Sequence, residues 1–510
     1  MSIKLYIKNS HSKFFYDECS EEEKNSFKQF IIEKFTVKDT SLERDFEVMR
    51  GWKSALKCFY KEGFDIIQTG LVPYVKAYVK KNNFDVEFHD LRKFQQPNLK
   101  IFEQLKKKGF GRFQLRDYQI EAIEASIKYK NGIISSPPAT GKSLIIGALC
   151  KIYDKSKFLL IFNMVDLLSQ TYQNFIDDYG FSKDDIDIVG MGESNSTGAR
   201  ITLLSLQSYK NMFHEFPYID IIVADETHSV GRTETSEKAI FSCQNAAHKF
   251  GFSATPDVIE NPYEQMRLYA NIGPIIFKKT FQEQIDNKVL ADTTAIIHKI
   301  IPEKPIKVVG SWNDIYDRKK IKSEEDKQSF IKQGFEIIKE GQDEIARKFV
   351  AYGDESLLYI YNDLRNQKIK EIAESSERVL ILFSKIKHGQ LLKELIPNAI
   401  LVSGKDDLQA RKIAKEELAK NPKAIILASS IFDVGVDVPA IKNLIVAGSH
   451  VNTGRVIQKA GRATRKNESI GKLTATIHDF DTSENAMAVK QTKKKIKIYE
   501  EIMKLKMVFI

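Results

Sequence analysis

Two long portions of the chain alternate short apolar runs with amphipathic stretches of helical period, and this alternation predicts two α/β lobes, each a parallel sheet flanked by helices. In the first portion the apolar runs fall near 132–134, 158–162, 201–204, 219–224 and 249–252. In the second they fall near 379–383, 399–402, 424–428, 443–447 and 473–478. Each portion spans about 150 residues, a comfortable size for one lobe. The architecture is duplicated without a close repeat in sequence. Residues 1–95 follow another pattern. Alternation over Ile3-Lys4-Leu5-Tyr6-Ile7 predicts a strand, and Ser20-Glu21-Glu22-Glu23 opens a charged helix. Further on, 71–79 reads as an amphipathic helix and 84–88 as a strand, giving a small α+β domain. The expected division is 1–95 for this accessory domain, 96–300 for the first lobe, 301–360 for a charged insertion and 361–510 for the second lobe.

Composition narrows the class. Of 510 residues, 42% are hydrophobic and 29% charged, as in a globular protein rather than a disordered or fibrous one. No apolar run approaches the roughly 20 residues that span a bilayer, and the first residues lack a signal-peptide core, so a cytosolic protein without a membrane partner is expected. Cys19, Cys58, Cys150 and Cys243 lie far apart with no CxxC pair, which argues against a disulfide framework or a zinc site. The formal net charge of +10 favours a nucleic-acid partner without settling it. Within the insertion, Arg318-Lys319-Lys320 shortly precedes Glu324-Glu325-Asp326. It reads either as an element that touches nucleic acid or gates a cleft, or as a solvated helical insertion.

The chemistry concentrates in a few strings. Ser136-Pro137-Pro138-Ala139-Thr140-Gly141-Lys142-Ser143 follows an apolar strand and opens an amphipathic helix, the context of a phosphate-binding loop. Backbone N–H groups from Thr140 to Ser143 and the helix N-terminus would cradle phosphate oxygens. Lys142 would reach the β- and γ-phosphates, and the Ser143 hydroxyl would ligate Mg²⁺. The pattern departs from the strict loop, with Ser136 where the first glycine is usual. About eighty residues on, a second strand ends in Asp225-Glu226-Thr227-His228. Carboxylates at the carboxyl end of a parallel strand lie where open α/β sheets bind ligands. Asp225 can hold Mg²⁺, and Glu226 can orient and deprotonate an attacking water.

With these residues in view, Asp-Glu-Thr-His resembles the DExH box of superfamily 2 helicases, and the family's other motifs follow in order. Leu115-Arg116-Asp117-Tyr118-Gln119 resembles the Q-type adenine motif, where Gln119 would read the adenine edge through its amide, with Arg116 or Tyr118 lining the pocket. The stretch from Asn163 to Gln170 resembles motif Ia, Ser205-Leu206-Gln207-Ser208 a strand-contact segment, and Ser253-Ala254-Thr255 motif III. In the second lobe Phe383-Ser384 resembles motif IV, and Val402-Ser403-Gly404 the next strand-contact motif. Residues 429–439 resemble motif V, and Gln458 to Arg465 matches QxxGRxxR, motif VI.

The resemblance implies two RecA-like lobes and a nucleic-acid-stimulated ATPase that uses ATP and Mg²⁺. ATP contacts would come from Arg116, Gln119, Ala139, Thr140, Gly141, Lys142, Ser143, Gly435 and Asp437. Catalysis would rest on Glu226, Gln458, Arg462 and Arg465. The two arginines lie about one helical turn apart, so both guanidinium groups could face one side. His228, Ser253 and Thr255 would couple ATP state to lobe movement. Asn163, Gln170, Gln207, Ser384, Ser403, Gly404 and Ser429 would contact DNA. Overall the chain is similar to UvsW-type phage helicases, which implies action on forked or branched DNA in replication, recombination or repair, in the host cytoplasm if phage-encoded; a monomer is expected. An RNA helicase, or a double-strand translocase that does not separate strands, would use the same motor. The accessory domain, rich in basic residues among aromatics (Lys53, Lys57, Phe59, Tyr60 and Lys61, then Tyr74, Lys76, Tyr78, Lys80 and Lys81), reads either as a domain that chooses DNA shapes by phosphate contact and base stacking, which is the expectation, or as a structural domain with a solvated basic face. The motor is expected to remain intact without it.

Overall fold

The structure, a computed structural model, describes residues 2–17, 19–43, 45–190, 198–209, 216–300, 316–321, 323–332, 336–340, 343–349, 360–403, 408–429, 440–448, 453–482 and 486–510. They divide into two compact units, the first ending at Asn287 and the second beginning at Lys288.

The first unit opens with the accessory domain. Its sheet is mixed, in the order Tyr60–Lys61, Ile66–Gln68, His11–Asp17, Ser2–Ile7 and Val86–Asp90, with only the last pair parallel. The helix Glu21–Phe35 starts at the expected Ser20. The Glu23 amide donates to Ser20 Oγ (3.2 Å) while the Ser20 amide donates to the Glu23 carboxylate (2.9 Å), a reciprocal cap. Phe27, Ile31 and Phe35 of that helix bury against Ile3, Leu5 and Phe14 of the sheet.

The first motor sheet has seven parallel strands, in the order Ile186–Val189, Ile201–Ser205, Phe158–Phe162, Ile221–Asp225, His248–Ser253, Asn131–Ser135 and Ile275–Lys278. Its central strands are buried up to Asp225 at the end of Ile221–Asp225, because helices cover both faces. The second unit repeats the plan with Ile400–Val402, Ile425–Ser429, Val379–Phe383, Asn443–Val446, Thr474–Thr482, Asp292–Ile300 and Lys506–Phe509, again all parallel. Two RecA-like lobes with a small α+β domain are thus the observed architecture.

Two expectations change. The strand Asp292–Ile300, assigned by sequence to the first lobe, pairs over its whole length with Thr474–Thr482 in the second sheet. Its partner lies far along the chain, so local pattern could not assign it. The insertion is not helical alone. Its backbone forms an antiparallel sheet in the order Tyr316–Lys320, Asp343–Phe349, Glu336–Glu340, with a helix at Glu324–Lys332.

The accessory domain shares its core with the first lobe. The lobe helix Pro262–Ile272 places Ala270 in the accessory domain's core, with Met266 and Tyr269 packed beside it. Tyr269 and Tyr263 lie against Tyr74 and Phe59, both at 5.5 Å between ring centroids. Gly70 sits so close that a Cβ there would fall 2.2 Å from the Tyr269 carbonyl oxygen, which only glycine permits. Polar ties flank this contact: Gln68 donates to Glu237 (2.8 Å), Asn261 to Asp39 (2.8 Å), and the buried Lys249 ammonium to the Asn9 carbonyl (2.8 Å). Burial pushes that ammonium down to about 8. The aromatics expected to stack on bases are drawn into these contacts. Tyr60 is buried with its hydroxyl bonded to Asp65, and Tyr78 packs on Phe35. Among the described residues, the exposed aromatics of the domain are instead Phe15 (41%), Phe46 (56%), Trp52 (73%) and Phe64 (69%).

In the second unit three histidines are buried. His298 and His478 share a hydrogen bond of 3.0 Å between ring nitrogens, and His388 bonds Asn366 at 3.0 Å. Burial holds His298 and His478 down to about 4 and His388 to about 3, against an ordinary 6.5. Below 6.5 the unfolded chain binds protons that the folded one refuses, so stability present at neutral pH is lost as the pH falls towards 4. The expected loss is on the order of 3 kcal/mol for a fully buried imidazole. Urea titrations at a series of pH values test this, and a midpoint unchanged from pH 7 to 4.5 would contradict it.

Candidate functional site

Asn131–Ser135 delivers the chain into the phosphate loop, and Lys142–Ile152 carries it away as a helix. Between them Ala139 and Gly141 take left-handed conformations (φ 68° and 76°). Glycine does so freely, whereas alanine does so under strain, which folded chains tolerate chiefly at functional sites. Hydroxyls brace the loop: Ser136 Oγ and Thr140 Oγ1 are 2.9 Å apart, and Thr140 Oγ1 donates to the Pro137 carbonyl (2.8 Å). Ser136, standing where a first glycine is usual, thereby has a bracing contact of its own. Lys142 Nζ lies 3.4 Å from the carbonyls of Ser136 and Pro137, folded back over the loop. The amides of Lys142 and Ser143 fall in the first helical turn, where no carbonyl of the preceding turn claims them. This is a place where an anion can dock.

Gln119, expected to read the adenine edge, is tied to the phosphate loop. It is 3% exposed; its Oε1 accepts from the Arg116 amide (3.0 Å) and its Nε2 donates to the Thr140 carbonyl (3.1 Å). Tyr118 is also buried and donates to the same carbonyl. Both side chains hold the phosphate loop from behind, while Arg116 remains exposed. A residue that sequence reasoning missed joins them. The Tyr179 hydroxyl donates to Ser143 Oγ at 3.4 Å, its ring stacked on Phe110. No motif marks Tyr179.

Two strands away, Ile221–Asp225 ends at the same edge of the sheet. Glu226 is left-handed (φ 45°, ψ 52°), a second strained non-glycine residue, and its amide donates to Asp225 Oδ1 (2.9 Å). Burial first, and then the adjacent Glu226, push the Asp225 carboxyl up to about 6, with Lys142 pulling the other way. Two half-buried carboxylates near Lys142, with the Ser143 hydroxyl next to that lysine on its helix, form an oxygen-donor set whose excess negative charge a divalent cation would relieve. The residues therefore fit Mg²⁺. His228 Nδ1 lies 3.3 Å from Glu226 Oε2 and 2.9 Å from Ser253 Oγ, and Ser253 Oγ also accepts from the Thr255 amide (3.1 Å). The three residues expected to couple ATP state to movement therefore form one chain of contacts that starts at Glu226.

Asn163 follows the strand Phe158–Phe162 and Gln207 follows Ile201–Ser205, both at the carboxyl edge that carries Asp225. Gln170 lies in the helix Val165–Asp177. In the second unit Ser384, Ser403 and Ser429 stand at the carboxyl ends of three parallel strands, Ser429 buried and the other two half-buried. Gly404, Gly435 and Asp437 lie outside the described residues.

Motif VI differs from expectation. Gln458 and Arg462 lie in the helix Thr453–Ala463, but the helix stops before Arg465, which instead forms a bridge with Leu290. The two arginines do not share one helical face. The reason lies in backbone partners from elsewhere. The Ala291 amide donates to the Thr464 carbonyl (2.7 Å), and Lys472 Nζ donates to the carbonyls of Ala463 (2.8 Å) and Arg465 (2.6 Å). Arg462 is buried, and burial lowers Arg465 to about 10.

Two known families match the two lobes. Residues 112–258 match the family described as Type III restriction enzyme, res subunit, and residues 364–467 match the helicase conserved C-terminal domain. The DNA 3'-5' translocase XPB2 of Sulfurisphaera tokodaii is 25% identical over 420 residues, covering 79% of this chain and 88% of that protein. The crystal structure of T4 UvsW aligns over 100% of this chain and 99% of its own, at 18% identity and a TM-score of 0.48. A fragment of an HsdR subunit of a type I restriction enzyme from Vibrio vulnificus covers 80% of this chain and 70% of its own, at 17% identity and a TM-score of 0.52. Among the described residues no helix is long and apolar enough to cross a membrane.

Proposed function

We infer that this chain, a superfamily 2 helicase, is an ATP-driven motor that unwinds or branch-migrates forked and junction DNA. The observation that carries the motor reading is the meeting of Lys142, Asp225 and Glu226 at the carboxyl edge of one parallel sheet. In this reading Lys142 and the first-turn amides hold the phosphates of ATP, and Glu226 draws a proton from the attacking water. Arg462 and Arg465 supply positive charge as it is needed at the γ-phosphate. Mg²⁺ held by Ser143 and Asp225 would supply further charge neutralisation on the phosphates. His228 and Ser253 carry the change at Glu226 onward to Thr255.

Choice of DNA shape is assigned to the accessory domain, since a motor gripping phosphates does not by itself distinguish a fork from a plain tail. Its exposed Trp52 and Phe46, in edge contact at 5.7 Å with Arg50 over the Phe46 ring, are among the groups available to stack on unpaired bases.

The test is ATP-dependent strand separation on a fork, a four-way junction, a flush duplex and an RNA duplex. The fork and junction are expected to be opened, with ATP turnover stimulated by DNA. Trp52→Ala should weaken fork binding by about 5- to 150-fold, the equivalent of about 1–3 kcal/mol for a lost stack, with ATPase stimulation by single strands unchanged. ATP turnover indifferent to any DNA would sink the motor reading; equal fork binding by Trp52→Ala would sink only the stacking role. The name of XPB2 favours a second reading, translocation along duplex DNA without strand separation. Displacement of a triplex strand with no fork opening would select it.

A further inference from the structure

We propose that Lys472 is a positioning residue for Arg465, holding the backbone of motif VI where the arginine can act; this rests on the reading of Arg465 given above. Lys472 is 3% exposed and sits at the base of a tight turn, where Asn467 and Lys472 exchange backbone hydrogen bonds of 3.1 and 2.8 Å. From there its side chain runs back to the end of the motif VI helix. Its ammonium donates to the carbonyls of Ala463 and Arg465, one on each side of the point where the helix stops. The carbonyls of a helix's last turn have no partner within the helix, and Lys472 satisfies one of them together with that of Arg465 itself. On the other side the Leu290–Ala291 segment grips the same backbone through the Thr464 carbonyl and the bridge to Arg465. Arg465 is therefore held from two directions by residues outside the motif. Burial, and then the charge of Arg465, push the Lys472 ammonium down to about 7, as two cations kept close together require.

A guanidinium that serves a transition state must be held before the reaction, and misplacement by about 1 Å can cost on the order of a hundredfold in rate. Lys472→Met keeps the aliphatic stem and removes the donors. It is expected to lower the kcat of DNA-stimulated ATP hydrolysis by about tenfold or more, with the KM for ATP within about threefold. Lys472→Arg, which restores donors, should recover part of the loss. The deciding measurement is a cycle with Arg465→Ala, made on the full chain with single-stranded DNA and Mg-ATP. If Lys472 acts through Arg465, adding Lys472→Met to Arg465→Ala should change kcat by less than about twofold. Independent multiplication of the two effects, or wild-type kcat in Lys472→Met, would overturn the proposal. A wild-type kcat in Arg465→Ala alone would instead overturn the reading of Arg465 on which it rests. Thermal unfolding of each variant is followed in parallel; if Lys472→Met does not melt cooperatively, Lys472→Gln, which keeps a donor at shorter reach, enters the same cycle.

Discussion

Glu226→Gln is expected to keep ATP affinity within a few-fold of wild type while lowering turnover by about 10²- to 10⁴-fold, the range of a lost general base. The amide preserves shape and the contact geometry around His228, so binding should be spared. It cannot accept the proton of the attacking water. Lys142→Ala should fail differently. Lys142 Nζ is poised over the phosphate loop, and its removal takes away charge compensation for bound phosphates, so ATP binding itself should weaken. Equilibrium nucleotide binding and single-turnover hydrolysis separate the two outcomes. Wild-type turnover in Glu226→Gln would leave the left-handed residue beside Asp225 without its assigned role.

Deletion of residues 1–95 is expected to destabilise the first lobe rather than release an intact motor. The cut would expose the face of Pro262–Ile272 that now buries Ala270 and packs Met266 and Tyr269. It would also remove Gln68, Asp39 and Asn9, which bond to Glu237, Asn261 and Lys249. Lost apolar burial and broken buried polar contacts together should cost on the order of 5 kcal/mol or more, a large share of a domain's net stability. The damage should reach the ATP site, because the same helix is tied to the strand ends that carry it. Asn271 donates to the Gly231 carbonyl and Gln265 to the Pro256 carbonyl, the latter just beyond Thr255. Calorimetry on the truncated chain, with ATPase activity read beside it, checks this. A truncated protein with wild-type Tm and wild-type ATPase would show the shared core to be dispensable.

Features set by near neighbours in the chain were readable from residue order. Apolar runs marked the central strands of both sheets, and Phe158–Phe162 and Val379–Phe383 begin and end where the pattern places them, because strands covered on both faces must be apolar throughout. The capping box at Ser20, the phosphate loop and the Asp225-Glu226 pair were legible for the same reason: each is a short string whose chemistry depends on neighbours within a few residues. Tertiary structure alone decided the rest. Asp292–Ile300 reads as a strand anywhere, but only pairing with Thr474–Thr482 assigns it to the second sheet. The aromatics of the accessory domain look alike in sequence, yet packing against Pro262–Ile272 and the domain's own core draws Phe59, Tyr60 and Tyr74 inward and leaves Phe46 and Trp52 outside. Gln119 braces the phosphate loop because folding brings the Thr140 carbonyl within reach of its amide. The spacing of Arg462 and Arg465 predicts a shared helical face, but Lys472 and Ala291 take the backbone carbonyls at which the helix ends. Hydrogen-bond partners supplied from distant segments override local periodicity, since a buried carbonyl left without a donor costs more than a turn of helix gains.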